Sequence, residues 1–419
     1  MLLYINWDGF SRHWYEMARS RGAGTPNLDR MIAQGASLEN HFCGLPAITN
    51  PMQQTLVSGA WPAKTGNCYV RFDRAARRFC PTLRLNRCEN IVEAAQRHSL
   101  RCASVHGWYF ENRGCREDDP DAPYLQGDLP NFESRVALLL AYLRGEPCGK
   151  NGLVMRQKPD FAALYADDID SVCHNGPRLP YRELRRAQTL EEWYANLVYA
   201  VQRMDRALAP LLAQKDLTIA LAADHGGMPY GTAAFQVSSQ EASLPRAQEV
   251  LDAMQKIGVR PFVPTRADEA VPEDAEAALL FMETQALFYL LRPDADGVLE
   301  RVQKAVSALP FLRGCLNSAQ QQAYGAPSDF CDLYLLTRSP YVFNTWHNDG
   351  FVGGSHAAME DSVLHVFCAF WGPGIRKGVR VTRRTDLTSF APTLCKMMGF
   401  DGPKDRTGSA LDDIIDEGK

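Results

Sequence analysis

The sequence predicts an α/β fold in which a mostly parallel central sheet is flanked by helices. Three observations carry that expectation. Short apolar runs recur at Leu2–Trp7, Asp160–Ala166 and Leu217–Ala223, too short for typical helices. Helical patterns lie between them, as strand–helix–strand units require. Each run also ends in Asp or Asp-His, which suits a sheet whose chemistry gathers beyond the carboxyl ends of its strands.

Leu2–Trp7 reads as the first strand, closed by Asp8-Gly9. Thr25–Gly35 reads as a helix, with Thr25 capping, Pro26 in the first position and Gly35 past the end. The stretch Ala47-Ile48-Thr49-Asn50-Pro51 opens a second helix that ends near Gly59. Pro51 fits its first turn, so Thr49 sits at the positive end, where backbone N–H groups favour an anion.

A strand over Arg101–Val105 leads to Trp108, Tyr109 and Phe110, which either stack on a substrate base or pack into the core. Asp160–Ala166 is followed by Asp167, Asp168, Asp170 and His174. A long helix over Leu190–Ala213 carries an apolar stripe from Trp193 to Leu211, with Thr189 and Glu192 forming a capping box. It feeds the strand that ends at Asp224-His225.

From Pro229 to Pro340 the pattern changes to helix (Leu244–Ile257), strand (Ala278–Leu291), helix (Gly297–Leu309) and strand (Asp332–Leu336). A small α+β cap over 229–340 is therefore expected, inserted into a core made of 1–228 and 341–419. Gly353-Gly354-Ser355-His356 precedes a strand over Val363–Trp371.

Composition narrows the function classes. The 419 residues are 46% hydrophobic and 22% charged with a formal net charge of −4, ordinary for a globular enzyme with a large core. No broad basic surface is implied, so a stable nucleic acid partner is not expected. No apolar stretch approaches the roughly 20 residues that span a bilayer, so no membrane partner is expected. The first strand leaves no room for a signal peptide, and a cytoplasmic location is the expectation. The 12 cysteines contain no C-x-x-C pair, which excludes a zinc ribbon and a thioredoxin-like motif and points to free thiols.

Asp8, Asp170, His174, Asp224, His225 and His356 supply carboxylate oxygen and imidazole nitrogen, the ligands of catalytic divalent ions. With Thr49 they suffice for a two-metal site that clamps the attacking and leaving oxygens of a phosphoryl transfer, Thr49 being the attacking group. Alternatives stay open at several positions. Asp167 or Asp168 could replace Asp170, Thr49 could be an ordinary N-cap, and Asp8 a turn former.

The tracts TPNLDRMIAQG (25–35), ITNPMQQTLVSGAWPAKTGN (48–67), Asp170-x-x-x-His174, ADHGGM (223–228), GSH (354–356) and GPGIRKG (372–378), with Asp8-Gly9, resemble the alkaline phosphatase superfamily. Within it the chain is most similar to the type I phosphodiesterase/nucleotide pyrophosphatase family, from residue 8 to about residue 400. The resemblance implies an alkaline-phosphatase-like core and two zinc ions, with manganese or iron as alternatives. One ion would be held by Asp170, His174 and His356, the other by Asp8, Thr49, Asp224 and His225.

It further implies a phosphothreonine intermediate on Thr49 and a small phosphodiester or nucleotide-like substrate. The closest match to the family's oxyanion-binding asparagine is Asn67, and Trp108 and Tyr109 are the candidates for contacts to the rest of the substrate. Cys173 stands where the family usually has glycine. Thr49-Asn50-Pro51-Met52 lacks the Cys or Ser of sulfatases, which disfavours sulfate esters. The tract GNCYVRFD (66–73) is somewhat similar to phosphonoacetate hydrolases, the main enzymatic alternative. Their substrate carboxylate is held by lysines, whereas this chain has Arg71, Arg74, Arg77, Arg78, Arg84 and Arg87 after the nucleophile, residues equally readable as surface charge. A phosphomonoesterase and a non-catalytic binder of phosphorylated ligands are the remaining readings.

Overall fold

The computed structural model describes residues 1–231, 246–266, 268–344 and 351–416. Along the chain the strands are β1 (Leu2–Trp7), β2 (Ala36–Phe42), the hairpin pair β3 (Val70–Asp73) and β4 (Arg78–Pro81), β5 (Cys102–Val105), β6 (Tyr124–Leu125), β7 (Phe161–Ala166) and β8 (Thr218–Ala222). After them come β9 (Met228–Tyr230), β10 (Ala277–Met282), β11 (Gln285–Leu290), β12 (Leu312–Asn317), β13 (Leu333–Thr337), β14 (Gly353–Ser355), β15 (Cys368–Trp371) and β16 (Val379–Asp386).

The central sheet has the order β16-β2-β15-β8-β1-β7-β5-β6. Among the described strands of this sheet only β15 opposes its neighbours, so the sheet is mostly parallel, as predicted. β1 is buried along its whole length, and β7 and β8 nearly so. Burial on both faces explains why these strands read as continuous apolar runs without alternation.

The helix Leu190–Leu212 forms as its periodicity predicts. Thr189 Oγ1 accepts from Glu192 N at 3.2 Å, and Glu192 Oε2 accepts from Thr189 N at 3.2 Å. Its stripe of Trp193, Leu197, Val201, Met204, Leu208 and Leu211 is buried. The helix Pro26–Gln34 also forms, yet Thr25 makes no side-chain cap. Its first N–H groups donate instead to the Asp205 carboxylate on the long helix, Leu28 N at 2.8 Å and Asn27 N at 3.1 Å. A carboxylate complements the positive helix end more strongly than a hydroxyl.

Two strand expectations need correction. Val363–Trp371 is split into a short helix (Asp361–Leu364) and β15, because Val363 and Leu364 pack as helical residues before the chain extends. Ala278–Leu291 is a hairpin of β10 and β11 that turns at Glu283-Thr284. Nothing in its sequence marks the turn, since both faces of this sheet are covered and the turn lacks the usual Gly or Asn.

β10, β11, β13 and β12 make an antiparallel four-stranded sheet. Leu280, Leu287, Tyr289, Tyr334 and Leu336 on one face join the main core. Leu279, Phe288 and Leu335 on the other pack against Val250 and Met254 of the helix Ala247–Lys256 and Val302 and Val306 of the helix Val298–Ser307. The predicted start of the first of these helices, at Leu244, lies outside the described residues. β12 was not foreseen, because its tract Leu312–Asn317 carries Arg313 and Gly314 within it.

No described helix is long and apolar enough to cross a membrane. The twelve cysteines are free thiols, buried except for Cys80.

The arginine tract ties the β3–β4 hairpin to the small sheet. Arg74 donates to the Leu290 carbonyl at 2.9 Å and to Asp332 at 3.0 Å, and Arg77 donates to the carbonyls of Val271 and Ala275 at 3.1 Å each and also to that of Pro272. Arg77→Ala is expected to lower unfolding stability by about 2 kcal/mol, the scale of charge-assisted hydrogen bonds. Denaturant unfolding measures that loss, and faster amide exchange at Val271, whose N–H donates to the Arg77 carbonyl, locates it.

Candidate metal and nucleophile site

Register brings the acidic residues together. Trp7 pairs with Ala166 and Asn6 with Ala222, so the chain leaves the three central strands at one level. Asp8 and Asp224 follow directly, and Asp170 lies in the first turn of the helix Asp168–His174. Gly9 turns the chain after Asp8 in the left-handed region (φ 73°), where a Cβ would also lie 3.1 Å from Asp170. Because β15 is antiparallel, its incoming segment starts at this same edge and delivers His356. Gly354 passes so close to the neighbouring helix that a Cβ would sit 1.8 Å from the Cys173 carbonyl oxygen. Thr49 is the first residue of the helix Thr49–Ser58, whose N-cap is Ile48, so Thr49 does not act as a cap.

Thr49 Oγ1 lies 3.0 Å from His225 Nε2 and 3.5 Å from Asp8 Oδ1. His225 Nε2 is 3.2 Å from Asp8 Oδ1 and 3.8 Å from Asp224 Oδ2. On the other side of the ring, Nδ1 is 2.8 Å from the Gly226 carbonyl, which can only accept. Nδ1 therefore carries a proton, and in the neutral ring Nε2 turns its lone pair toward the crevice. Asp8, Asp224 and His225 form one group with ligand atoms within 4.8 Å, and Asp170, His225 and His356 another. His174 stands at the edge, its Nε2 3.5 Å from Asp170 Oδ1 and its ring 5.2 Å from that of His356. His225 thus sits between the two groups, where the resemblance assigns it to one.

Three carboxyl groups held this deep disfavour one another's charge. Burial, then Asp8, pushes Asp224 up to about 8. Burial raises Asp170 to about 6 although His174 opposes the shift. Burial alone would lower His225, but Asp224 and Asp8 outweigh it and raise it to about 10. His356 is held well below its ordinary value by burial and by the neighbouring His225 and His174. Its Nδ1 is buried without a hydrogen-bond partner. Surplus carboxylate oxygen beside neutral imidazole nitrogen is the donor set of a divalent cation such as zinc, so the residues present fit the implied metal centre.

Other candidates are engaged elsewhere. Asp168 accepts from Phe132 N at 2.9 Å and from the Tyr181 hydroxyl at 2.6 Å, and Asp167 pairs with Arg135 at 2.7 Å, which leaves Asp170 for the cluster. Asn67 is corrected as a substrate contact. Both its amide protons go to the carbonyls of Leu83 and Leu85 at 2.9 Å, and none remains for a phosphoryl oxygen. Trp108 and Tyr109, on the short helix Trp108–Phe110, are not among the residues that line the cavity. Tyr109 is buried beside Tyr4 and Tyr165, and Trp108 lies under the Arg84 guanidinium.

Sequence reasoning missed Gln53 and Tyr165. Gln53 Nε2 lies 3.1 Å from Asp224 Oδ2 and 3.3 Å from Asp8 Oδ2, bridging two carboxylates from below. Its spacing of four from Thr49 on one helix was the available signal. The Tyr165 hydroxyl donates to Asp8 Oδ2 at 2.5 Å, which orients that carboxylate. In front of Thr49 opens a cavity of 460 Å³. The β10–β11 turn supplies one wall with Met282, Glu283, Thr284 and Gln285.

The sequence profile described as type I phosphodiesterase / nucleotide pyrophosphatase matches residues 2–350. No curated protein matches the sequence. Among solved structures, murine ectonucleotide pyrophosphatase/phosphodiesterase 5 superposes with a TM-score of 0.64 at 14% identity, covering 99% of this chain and 100% of that one. An inactive form of the murine protein in complex with AMP gives 0.65 at 15% identity, with 99% of each chain covered. The human counterpart gives 0.62 at 17% identity, covering 99% of this chain and 100% of that one.

The raised carboxyl groups set a pH dependence. A group with a raised value keeps its proton until pH passes that value, and a cation must displace it. Zinc titrated into metal-free protein at pH 7 is expected to release about two protons per chain, one from Asp224 and one from His225, with apparent affinity rising between about pH 6 and about pH 10. Calorimetry in buffers of different ionisation enthalpy measures the release.

Proposed function

Because this chain belongs to the type I phosphodiesterase/nucleotide pyrophosphatase family of the alkaline phosphatase superfamily, whose members are metal-dependent hydrolases, we propose that it is a two-metal phosphodiesterase with Thr49 as nucleophile. The observation that carries this reading is the position of Thr49 Oγ1, 3.0 Å from His225 Nε2 at the mouth of the carboxylate cluster. A bare hydroxyl is a poor nucleophile, and this one has basic atoms on its inner side and open space on its outer side.

One cation would be held by Asp8, Asp224 and His225 beside Thr49, and the other by Asp170, His356 and His174. Bound there, such ions supply charge neutralisation at the attacking and leaving oxygens and make the hydroxyl easier to ionise. Thr49 Oγ1 would then attack phosphorus with its proton lost to solvent through the open cavity, because His225 Nε2 and Asp8 would be engaged with the cation. The phosphorus–oxygen bond to the leaving alcohol breaks, and that oxygen takes up a proton. A water molecule hydrolyses the phosphothreonine in the reverse sense and regenerates the hydroxyl. Tyr165 and Gln53 keep Asp8 and Asp224 oriented through both steps. The substrate class that family membership and the AMP-bound relative favour is a small, nucleotide-like diester.

The phosphonoacetate reading has less support. Among the described residues no Lys or Arg lines the cavity to hold a substrate carboxylate. Arg74 is spent on Asp332 and the Leu290 carbonyl of the small sheet, Arg77 on the carbonyls of the segment 271–275 that leads into it, and Arg84 on Glu111.

Thr49→Ala is expected to reduce turnover of a chromogenic phosphodiester by about a thousandfold or more while zinc content is kept. Full activity in the variant would rule out the covalent route. In the wild type, turnover is expected in the order diester, then monoester, then phosphonoacetate, and chelation is expected to abolish all of it.

A further inference from the structure

Glu283 is the one charged group that the small sheet places in the cavity, on the wall facing the cluster. It sits at the β10–β11 turn with φ 36°, a conformation that a non-glycine residue keeps only when its surroundings hold it. Its surroundings do so on every side. Glu283 N donates to Asn344 Oδ1 at 2.7 Å, and its carbonyl accepts from Phe343 N at 2.6 Å. The next residue, Thr284, donates from Oγ1 to the carbonyl of His356 at 2.5 Å, so the turn is anchored to a ligand-bearing residue. Ser355 Oγ donates to Glu283 Oε2 at 2.7 Å. The other carboxylate oxygen, Oε1, has no hydrogen-bond partner among the described residues.

A fixed carboxylate with a free oxygen, in a cavity that no described Lys or Arg lines, has a definite electrostatic consequence. The phosphoryl group itself would be neutralised at the cluster, but a second anionic group on the substrate would meet Glu283 without compensation. A hydrogen-bond donor or a cation in the same place would satisfy Oε1.

Resting on the phosphodiesterase reading, we propose that Glu283 is a specificity residue. It selects diesters whose second substituent presents N–H or O–H donors or a positive charge, and it rejects substrates that carry a further phosphate or carboxylate. The site is accordingly a diesterase and a poor pyrophosphatase. Ser355 positions the carboxylate without carrying the selectivity.

The test compares three p-nitrophenyl phosphodiesters that share a leaving group and differ in the second substituent: 2-aminoethyl, methyl and carboxymethyl. For zinc-loaded wild type, kcat/KM is expected to fall about tenfold from aminoethyl to methyl and again to carboxymethyl, the scale of one partly screened charge interaction. In Glu283→Gln, which keeps the shape and removes the charge, the aminoethyl-to-carboxymethyl ratio is expected to collapse to within about threefold. In Ser355→Ala the ratio is expected to persist.

Calorimetric binding of phosphoethanolamine and phosphoglycolate to zinc-loaded Thr49→Ala, with and without Glu283→Gln, reads the same preference without turnover. Unchanged ratios in Glu283→Gln in both measurements would overturn the assignment. A Glu283-dependent binding preference in a protein that cleaves none of the diesters would support Glu283 and sink the phosphodiesterase reading instead.

Discussion

Negative charge buried in one crevice is the constraint on which the rest of this structure depends. Asp8 and Asp224 are buried beside Asp170 at the cavity floor, and burial raises Asp170 and Asp224 above the usual carboxyl range. A fold tolerates such a cluster only if something offsets it. Hydrogen bonds from Tyr165, Gln53, Gly9 N and His225 N do part of this. The same carboxylate and imidazole groups also form a donor set that could hold a metal ion.

The sheet supplies the precision. Hydrogen-bond register between β1 and its two neighbours fixes the level at which the three strands end, and a one-residue slip would displace Asp8 from the segments that carry Asp170 and Asp224. Rigid strands thus set the level of Asp8 and Asp224, while helix starts and loops set the positions of Asp170, Thr49, His225 and His356. Close backbone passages lock the loops in place. A Cβ on Gly226 would lie 1.9 Å from the Ser362 carbonyl oxygen, so the turn after Asp224-His225 accepts little besides glycine.

The four-stranded sheet has two attachments, and both bear on the site. One of its faces is continuous with the main core, and the arginine tract ties its edge to the β3–β4 hairpin. Its β10–β11 turn then reaches the cavity and is bonded to the His356 carbonyl. One wall of the cavity and His356 therefore share one rigid support, which couples the shape of the cavity to the cluster.

Sequence alone determined the class of the fold and the residue types of the site. Apolar runs followed by Asp8, by Asp167, Asp168 and Asp170, and by Asp224-His225 pointed to a parallel sheet with its chemistry beyond one edge, an arrangement that gathers groups well separated in sequence. The capping box predicted at Thr189 and Glu192 forms, whereas the predicted side-chain cap of Thr25 does not. Tertiary structure decided what local pattern cannot encode. It chose Asp170 over Asp167 and Asp168 because each of those found a partner distant in sequence, and it drew Asn67 and Tyr109 into structural roles for the same reason. It also folded Ala278–Leu291 into a hairpin and set Glu283 in the cavity. Periodicity reports which face of a segment is buried, whereas a partner far along the chain appears only when the chain closes on itself.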